Sequence, residues 1–162
     1  MKTLSLRNLE DEDLVMVEGW LKQDFIAEWL GGPSSWMREL ENRKGEFSFV
    51  RHFIALHKGE PLGFCQYYDC TKVEPDSGLF SEKAGVYGID YFVAQRSLLG
   101  KGLGKKIVRL ICDKVKAAED DTIQIIADPS VEEGRENVAS IKSLLANDFA
   151  YEPLTSLFVK NV

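Results

Sequence analysis

The sequence predicts an α/β protein with a mixed, mostly antiparallel central sheet flanked by helices. Three features carry that reading. Residues 47–68 form two apolar runs around a glycine-proline turn, the pattern of a hairpin. A helical stretch from Lys101 to about Ala118 sits between two apolar strand-like runs, the pattern of a crossover. A closing hairpin is suggested from Tyr151 to Val159.

Taken in order, Thr3 to Arg7 alternates as a short strand. Leu9 to Asp13 is acidic and suits a helix start. Leu14, Val17 and Leu21, with Trp20 nearby, have helical spacing. Gly31-Gly32-Pro33 breaks the chain after Glu28-Trp29-Leu30, and a second helical piece covers Trp36 to Asn42. One strand centres on Phe53-Ile54-Ala55-Leu56. Lys58-Gly59-Glu60-Pro61 turns it, and Leu62 to Tyr68 returns. Asp69 to Lys83, with Pro75, Ser77 and Gly78, reads as a loop, and Val86 to Ala94 as the next strand. In the long helix, Leu103, Ile107, Leu110, Ile111 and Val115 share an apolar face. Its other face carries Lys101, Lys105, Lys106, Arg109, Lys114 and Lys116 against Asp113. Thr122 to Ala127 is an isoleucine-rich buried strand, and Asn137 to Leu145 a helix. The expected order is β-α-α-β-β-β-α-β-α-β-β.

A chain of 162 residues suggests one domain, residues 1–162, large enough to hold a core without disulfide or metal staples. The net charge of −6, from 20 Lys+Arg against 26 Asp+Glu, argues against general nucleic-acid binding. It suits a cationic ligand, and equally it suits simple solubility. Cys65, Cys70 and Cys112 lack metal-ligand spacing and are odd in number, so neither a disulfide framework nor a metal site is expected. Cys65 and Cys112 sit in apolar stretches and read as core thiols. The N-terminal residues show no signal-peptide pattern, and no run of about 18 apolar residues occurs. A cytoplasmic protein without membrane partners is expected, as a monomer or homodimer.

The most informative segment runs from Gly88-Ile89-Asp90 through Leu99-Gly100-Lys101-Gly102-Leu103-Gly104-Lys105. A strand enters alternating glycines, which open a basic helix. Uncovered amide groups at a helix N-terminus make an anion site, typically for phosphate. The spacing matches neither G-x-G-x-x-G nor G-x-x-x-x-G-K-[ST]. A glycine-rich turn without a ligand is the competing reading.

Set between an apolar strand and a helix, this loop resembles the acetyl-CoA pyrophosphate loop of the GNAT superfamily of N-acetyltransferases. Within it, the chain is most similar to the aminoglycoside 6′-N-acetyltransferases. The likeness takes in Leu6-Arg7, Glu28-Trp29-Leu30-Gly31-Gly32, Gly59-Glu60-Pro61-Leu62-Gly63 with Gln66, Gly88-Ile89-Asp90, the loop, Asp128-Pro129-Ser130 and Asn137. It implies direct acetyl transfer from acetyl-CoA to a primary amine of a small, cationic substrate. Leu99, Gly100, Lys101, Gly102, Leu103, Gly104 and Lys105 would hold the pyrophosphate, although the lysines can equally be solvated. Tyr91, Phe92 and Val93 would run beside the pantetheine arm, where the strand splays from its neighbour.

Asp90 occupies the position at which the family handles the substrate's proton; a surface Asp at a strand end is the alternative. Asp128 lies where relatives contact a cationic substrate, yet Asp-Pro-Ser is also a turn signal. Asn137 either bonds the cofactor arm or caps its helix. Trp29 and Gln66 match substrate-cavity positions, or simply pack. The loop acids Asp69, Glu74, Asp76 and Glu82 could help receive a cation. Siderophore or peptide amines as acceptors, or a degenerate acyl-CoA-binding domain, are the alternatives in function.

Three departures stand out. A tyrosine that protonates the departing thiolate is common seven residues after the Asn137 position; here that residue is Leu144. The link from Val131 to Glu136 is longer than usual. Asn147-Asp148-Phe149 stands where Lys-x-Gly-Phe is common.

Overall fold

The computed structural model describes residues 4–162. Thr3, expected to open the first strand, lies outside the described residues. The sheet has seven strands in the order β1-β2-β3-β4-β5-β7-β6. These are β1 Leu4–Asn8, β2 Val50–His57, β3 Glu60–Asp69, β4 Val86–Val93, β5 Gln124–Ala127, β6 Ala150–Glu152 and β7 Leu157–Asn161. All neighbours are antiparallel except β4 and β5, which α4, Leu103–Ala118, connects as a crossover.

The expected two helices before the hairpin are three: α1 Leu14–Leu21, α2 Asp24–Leu30 and α3 Pro33–Glu41. No Gly or Pro marks the break between α1 and α2. Gln23 makes it, with an extended backbone at ψ 136°, and its side chain donates to the Ala94 carbonyl at 2.9 Å. The tie to the end of β4 is tertiary, so local propensity does not show it. α3 starts earlier than Trp36 because Pro33, with no amide hydrogen to satisfy, suits a first turn.

The hairpin turn is also tighter than expected. Lys58 and Gly59 alone form it, with φ 53° and 84°, and Glu60 and Pro61 already belong to β3. α4 begins at Leu103, not Lys101, because Gly102 is left-handed. Asn137 precedes α5, Val138–Leu145, as its cap. β5 starts at Gln124, leaving Ile123 at the surface.

Alternation along the strands builds two cores. On one face Cys65, Tyr67, Tyr87 and Ile89 pack against Leu103, Ile107 and Ile111 of α4 and Leu144 of α5. On the other, Ile54, Phe64 and Phe92 meet Val17, Leu21, Ile26 and Leu40 of the three N-terminal helices. All three cysteines are free and buried. The helix face of α4 with Lys105, Lys106, Arg109, Lys114 and Lys116 is exposed.

The extra residues from Val131 to Glu136 fold back on themselves: the Asn137 amide donates to the Ser130 carbonyl at 2.9 Å. Asp148, in the place of the usual glycine, takes φ 68°. Asn147 beside it donates to the Ser143 and Lys105 carbonyls at 2.8 and 3.0 Å, tying α5 to α4. Among the described residues no helix is long and apolar enough to cross a membrane. No group of three or more His, Cys, Asp or Glu there could hold a metal ion.

Candidate functional site

Gly100 and Gly102 have φ 76° and 77°, a region that suits glycine because it lacks a Cβ. Gly102 turns the chain into α4, and no side chain caps that helix. Its first amide hydrogens therefore have neither an intrahelical acceptor nor a capping oxygen. They border a cavity of about 840 Å³ between α2, the end of β4, the glycine loop and α5.

Tyr91, Phe92, Val93, Leu99, Gly100, Gly102, Leu103, Gly104, Lys105 and Asn137 all line this cavity, as does Trp29. Lys101, Gln66, Asp90 and Asp128 do not. Lys101 is exposed within the loop. Asn137 has two features at once: its Oδ1 accepts from the Ser140 amide at 3.3 Å, and it faces the cavity. Leu144 is fully buried beneath α4 and does not reach the cavity.

The sheet opens beside this cavity. β4 and β5 pair at Val86↔Gln124, Tyr87↔Ile125 and Gly88↔Ile126, and no further. Among the described residues, no strand lies beside the β4 edge from Ile89 to Val93 on that side, while β3 pairs the other. Unpaired strand edges bind extended chains through main-chain hydrogen bonds.

Asp90 sits at the start of that opened edge. It lies opposite Gln66, whose Nε2 donates to Asp90 Oδ2 at 2.9 Å. Burial pushes the Asp90 carboxyl up to about 7; the nearby negative charges of Asp128 and Glu39 push the same way, and the Gln66 bond pulls back. Desolvation likewise raises the Asp128 carboxyl, although the residue as a whole is exposed.

Sequence reading missed three members of this neighbourhood. Tyr68 is buried, its hydroxyl has no partner among the described residues, and its ring covers Gly88. Burial, then Asp90 and Asp128, raise the Tyr68 phenol well above its usual range. His52 lies opposite Gln66 on β2, and its Nε2 is 3.0 Å from Glu39 Oε1 of α3. His52, Gln66 and Asp90 thus form one cross-strand row. The strand alternation of Phe64, Gln66 and Tyr68 was visible in sequence, but the register that brings them to Asp90 was not. Gln66 Oε1 is also buried without a partner among the described residues. Of the loop acids, Asp69 is engaged by the Thr71 amide and hydroxyl at 2.9 and 2.8 Å, whereas Glu74, Asp76 and Glu82 are exposed.

A strand that parts from its parallel neighbour beside a glycine loop at a helix N-terminus is the arrangement that the resemblance to the GNAT acetyltransferases implies. The chain belongs to that family: the model described as Acetyltransferase (GNAT) domain matches residues 10–156. Aminoglycoside N(6′)-acetyltransferase type 1 of Klebsiella pneumoniae is 32% identical over 137 residues, covering 79% of this chain and 66% of that protein. The chain therefore spans just under two thirds of that relative's length. A crystal structure of aminoglycoside acetyltransferase AAC(6′)-Ib with coenzyme A aligns at TM-score 0.80 and 28% identity, covering 98% of this chain and 94% of that one. The same enzyme with paromomycin and acetyl-CoA gives 0.81 and 28%, covering 99% and 94%.

Gly102 offers a direct test of the loop. Nothing lies within 4 Å of a Cβ built there. Gly102→Val should keep most of the fold but lose about 5–30-fold in acetyl-CoA affinity, because valine resists positive φ at roughly 1–2 kcal/mol. Isothermal titration with acetyl-CoA reads this out; unchanged affinity would remove the pyrophosphate from the loop.

Proposed function

We propose that this protein transfers the acetyl group of acetyl-CoA to a primary amine of a small polycationic substrate, with aminoglycosides as the leading class. Asp90, a carboxyl raised to about 7 beside an unpartnered strand edge, carries the reading. The cavity fits the coenzyme: uncapped helix amides at one end, an open β4 edge along its wall, and Asn137 at its rim. Acetyl-CoA supplies an activated acyl group there.

This chain's residues supply the rest. Gly100 to Gly104 hold phosphate through backbone amides, with Lys105 adding positive charge. The β4 edge aligns the arm. An amine near pKa 10 is ammonium at neutral pH, and freeing its lone pair costs roughly 4 kcal/mol. Asp90 and Asp128 attract that cation. As it approaches, its charge offsets their mutual repulsion and Asp90 ionises, ready to take the proton. The partnerless Tyr68 hydroxyl and Gln66 carbonyl oxygen are further hydrogen-bonding groups beside Asp90. Trp29 adds an apolar wall.

A thiol-release assay with aminoglycosides, hydroxylamines and peptide amines tests the proposal. Turnover on aminoglycosides is the expected result. Turnover confined to hydroxylamines or peptides moves the acceptor class. Acetyl-CoA binding without turnover on any amine leaves a cofactor-binding domain and ends the enzyme reading.

A further inference from the structure

Acyl transfer moves protons at two places. Asp90 handles the nitrogen. The sulfur that leaves also needs a donor, and Leu144 has no proton to give. Among the residues lining the cavity, Tyr91 and Ser140 form a paired set of hydroxyls. Tyr91 Oη lies 2.5 Å from Ser140 Oγ and 3.2 Å from the Ser140 carbonyl oxygen. That is the short end of the hydroxyl–hydroxyl range. Tyr91 comes from β4 and Ser140 from the first turn of α5, so the pair bridges the two elements that wall the opened sheet.

Strand alternation gives the pair its place. Asp90 and Phe92 share the sheet face of Gln66 and the N-terminal helices. Tyr91 projects to the opposite face, against the core that includes α4 and α5. An acyl group lying along the unpaired β4 edge has Asp90 on one side and the Tyr91–Ser140 pair on the other. An amine arriving from the Asp90 face expels sulfur toward the opposite face. Burial holds the Tyr91 phenol above its usual range, so it stays protonated through neutral pH. Ser143, the other hydroxyl in the cavity, approaches Gly104 of the phosphate loop instead. Lys105 and Lys142 are exposed.

Resting on the acetyltransferase reading above, we propose that the Tyr91–Ser140 hydroxyl pair is the hydrogen-bond and proton donor to the departing coenzyme A sulfur. The carbon–nitrogen bond forms, the carbon–sulfur bond breaks, and its electron pair stays on sulfur. Ser140, held by Tyr91, gives its proton to that sulfur, and the pair refills from solvent. The ammonium nitrogen loses two protons on becoming an amide, by way of Asp90. Sulfur gains one, so one proton is released per acetyl group transferred. Ser140 is the catalytic residue in this account, and Tyr91 is the positioning residue that holds its hydroxyl.

Binding of coenzyme A and of desulfo-coenzyme A, which lacks the sulfur, tests this without turnover. Affinities are measured by titration calorimetry across the thiol pKa near 8.5, for the parent, Tyr91→Phe and Ser140→Ala. The parent should prefer coenzyme A over the desulfo analogue increasingly as pH rises, by about tenfold or more where the thiolate dominates, as hydrogen bonds to charged groups do. Each variant should lose most of that preference while binding the desulfo analogue as the parent does, which also shows an intact cavity. In the thiol-release assay kcat should fall about 10²-fold, with KM for acetyl-CoA little changed. If one variant fails to fold, the other decides. A preference for coenzyme A that survives in a folded variant overturns the assignment, as does unchanged kcat. A parent that binds neither compound overturns the acetyltransferase reading itself.

Discussion

Asp90→Asn should lower turnover on the amine substrate by roughly 10²–10⁴-fold, the range for loss of a general base, with acetyl-CoA affinity kept. The parent's kcat/KM should rise with pH through about 7, because the carboxyl must lose its proton before it can accept one. In Asp90→Asn that limb should vanish. Asp128→Asn should move the parent's limb to lower pH, since the Asp128 charge is one of the influences raising Asp90. Stability supplies a second readout. The folded carboxyl keeps its proton up to about 7, whereas an unfolded Asp releases it near 3.9. The folded state thus binds more protons between those values, and stability falls as pH rises through that window. Asp90→Asn should flatten this part of the melting-temperature profile. Full activity in Asp90→Asn would move the base elsewhere, with Asp128 the first alternative. Leu144→Tyr should add little by comparison. The leucine is fully buried against α4, and a larger ring there overpacks the core at about 1–3 kcal/mol.

The legible part of this molecule was its local chemistry. Alternating glycines before an amphipathic helix announced the turn into α4, and the apolar face of that helix is the one that is buried. Hairpin β2–β3 was visible because Gly59 and Pro61 punctuate two apolar runs, although the turn itself is Lys58 and Gly59 alone. Less legible was anything set by partners distant in sequence. Gln23 ends α1 through a bond to Ala94, 71 residues away. The row His52–Gln66–Asp90 exists because β2, β3 and β4 pair in one particular register. Nothing near Tyr91 hints that its hydroxyl meets Ser140. The carboxyls also behave differently from their letters: Asp69, read as one of the acids that could help receive a cation, is engaged by Thr71, while Asp90 is shaped first by burial and then by Asp128 and Glu39. Likewise Asn137 read as either a contact of the cofactor arm or a helix cap; it caps α5 and also lines the cavity.

Gly88→Ala should be among the most destabilising single changes in the protein. Gly88 faces Tyr68 directly across the β3–β4 ladder, and the Tyr68 ring lies over it so closely that a Cβ would sit 2.2, 2.3 and 2.4 Å from its Cζ, Cε2 and Oη. Tyr68 cannot simply swing away. It is buried in a cluster with Val50, Cys70, Val86 and Ile126, and close packing transmits rather than absorbs the shift. Gly88 itself cannot retreat, because it forms the last β4–β5 pair before the sheet opens. Overpacking of this kind costs about 2–3 kcal/mol, or roughly 5–10 °C in melting temperature for a chain of this size. Function should suffer further, since the displaced ring adjoins Asp90 and the mouth of the splay. Thermal and urea melts of Gly88→Ala, Tyr68→Phe, Tyr68→Ala and the two double variants of Gly88→Ala with Tyr68→Phe or Tyr68→Ala decide the cause. Phenylalanine keeps the ring and should give no rescue. Alanine removes it, so in that background the Gly88→Ala penalty should shrink to a few tenths of a kcal/mol, as additivity fails for residues in contact. An equal penalty in both backgrounds would mean that strand pairing, not the Tyr68 ring, demands a glycine at the point where the sheet parts.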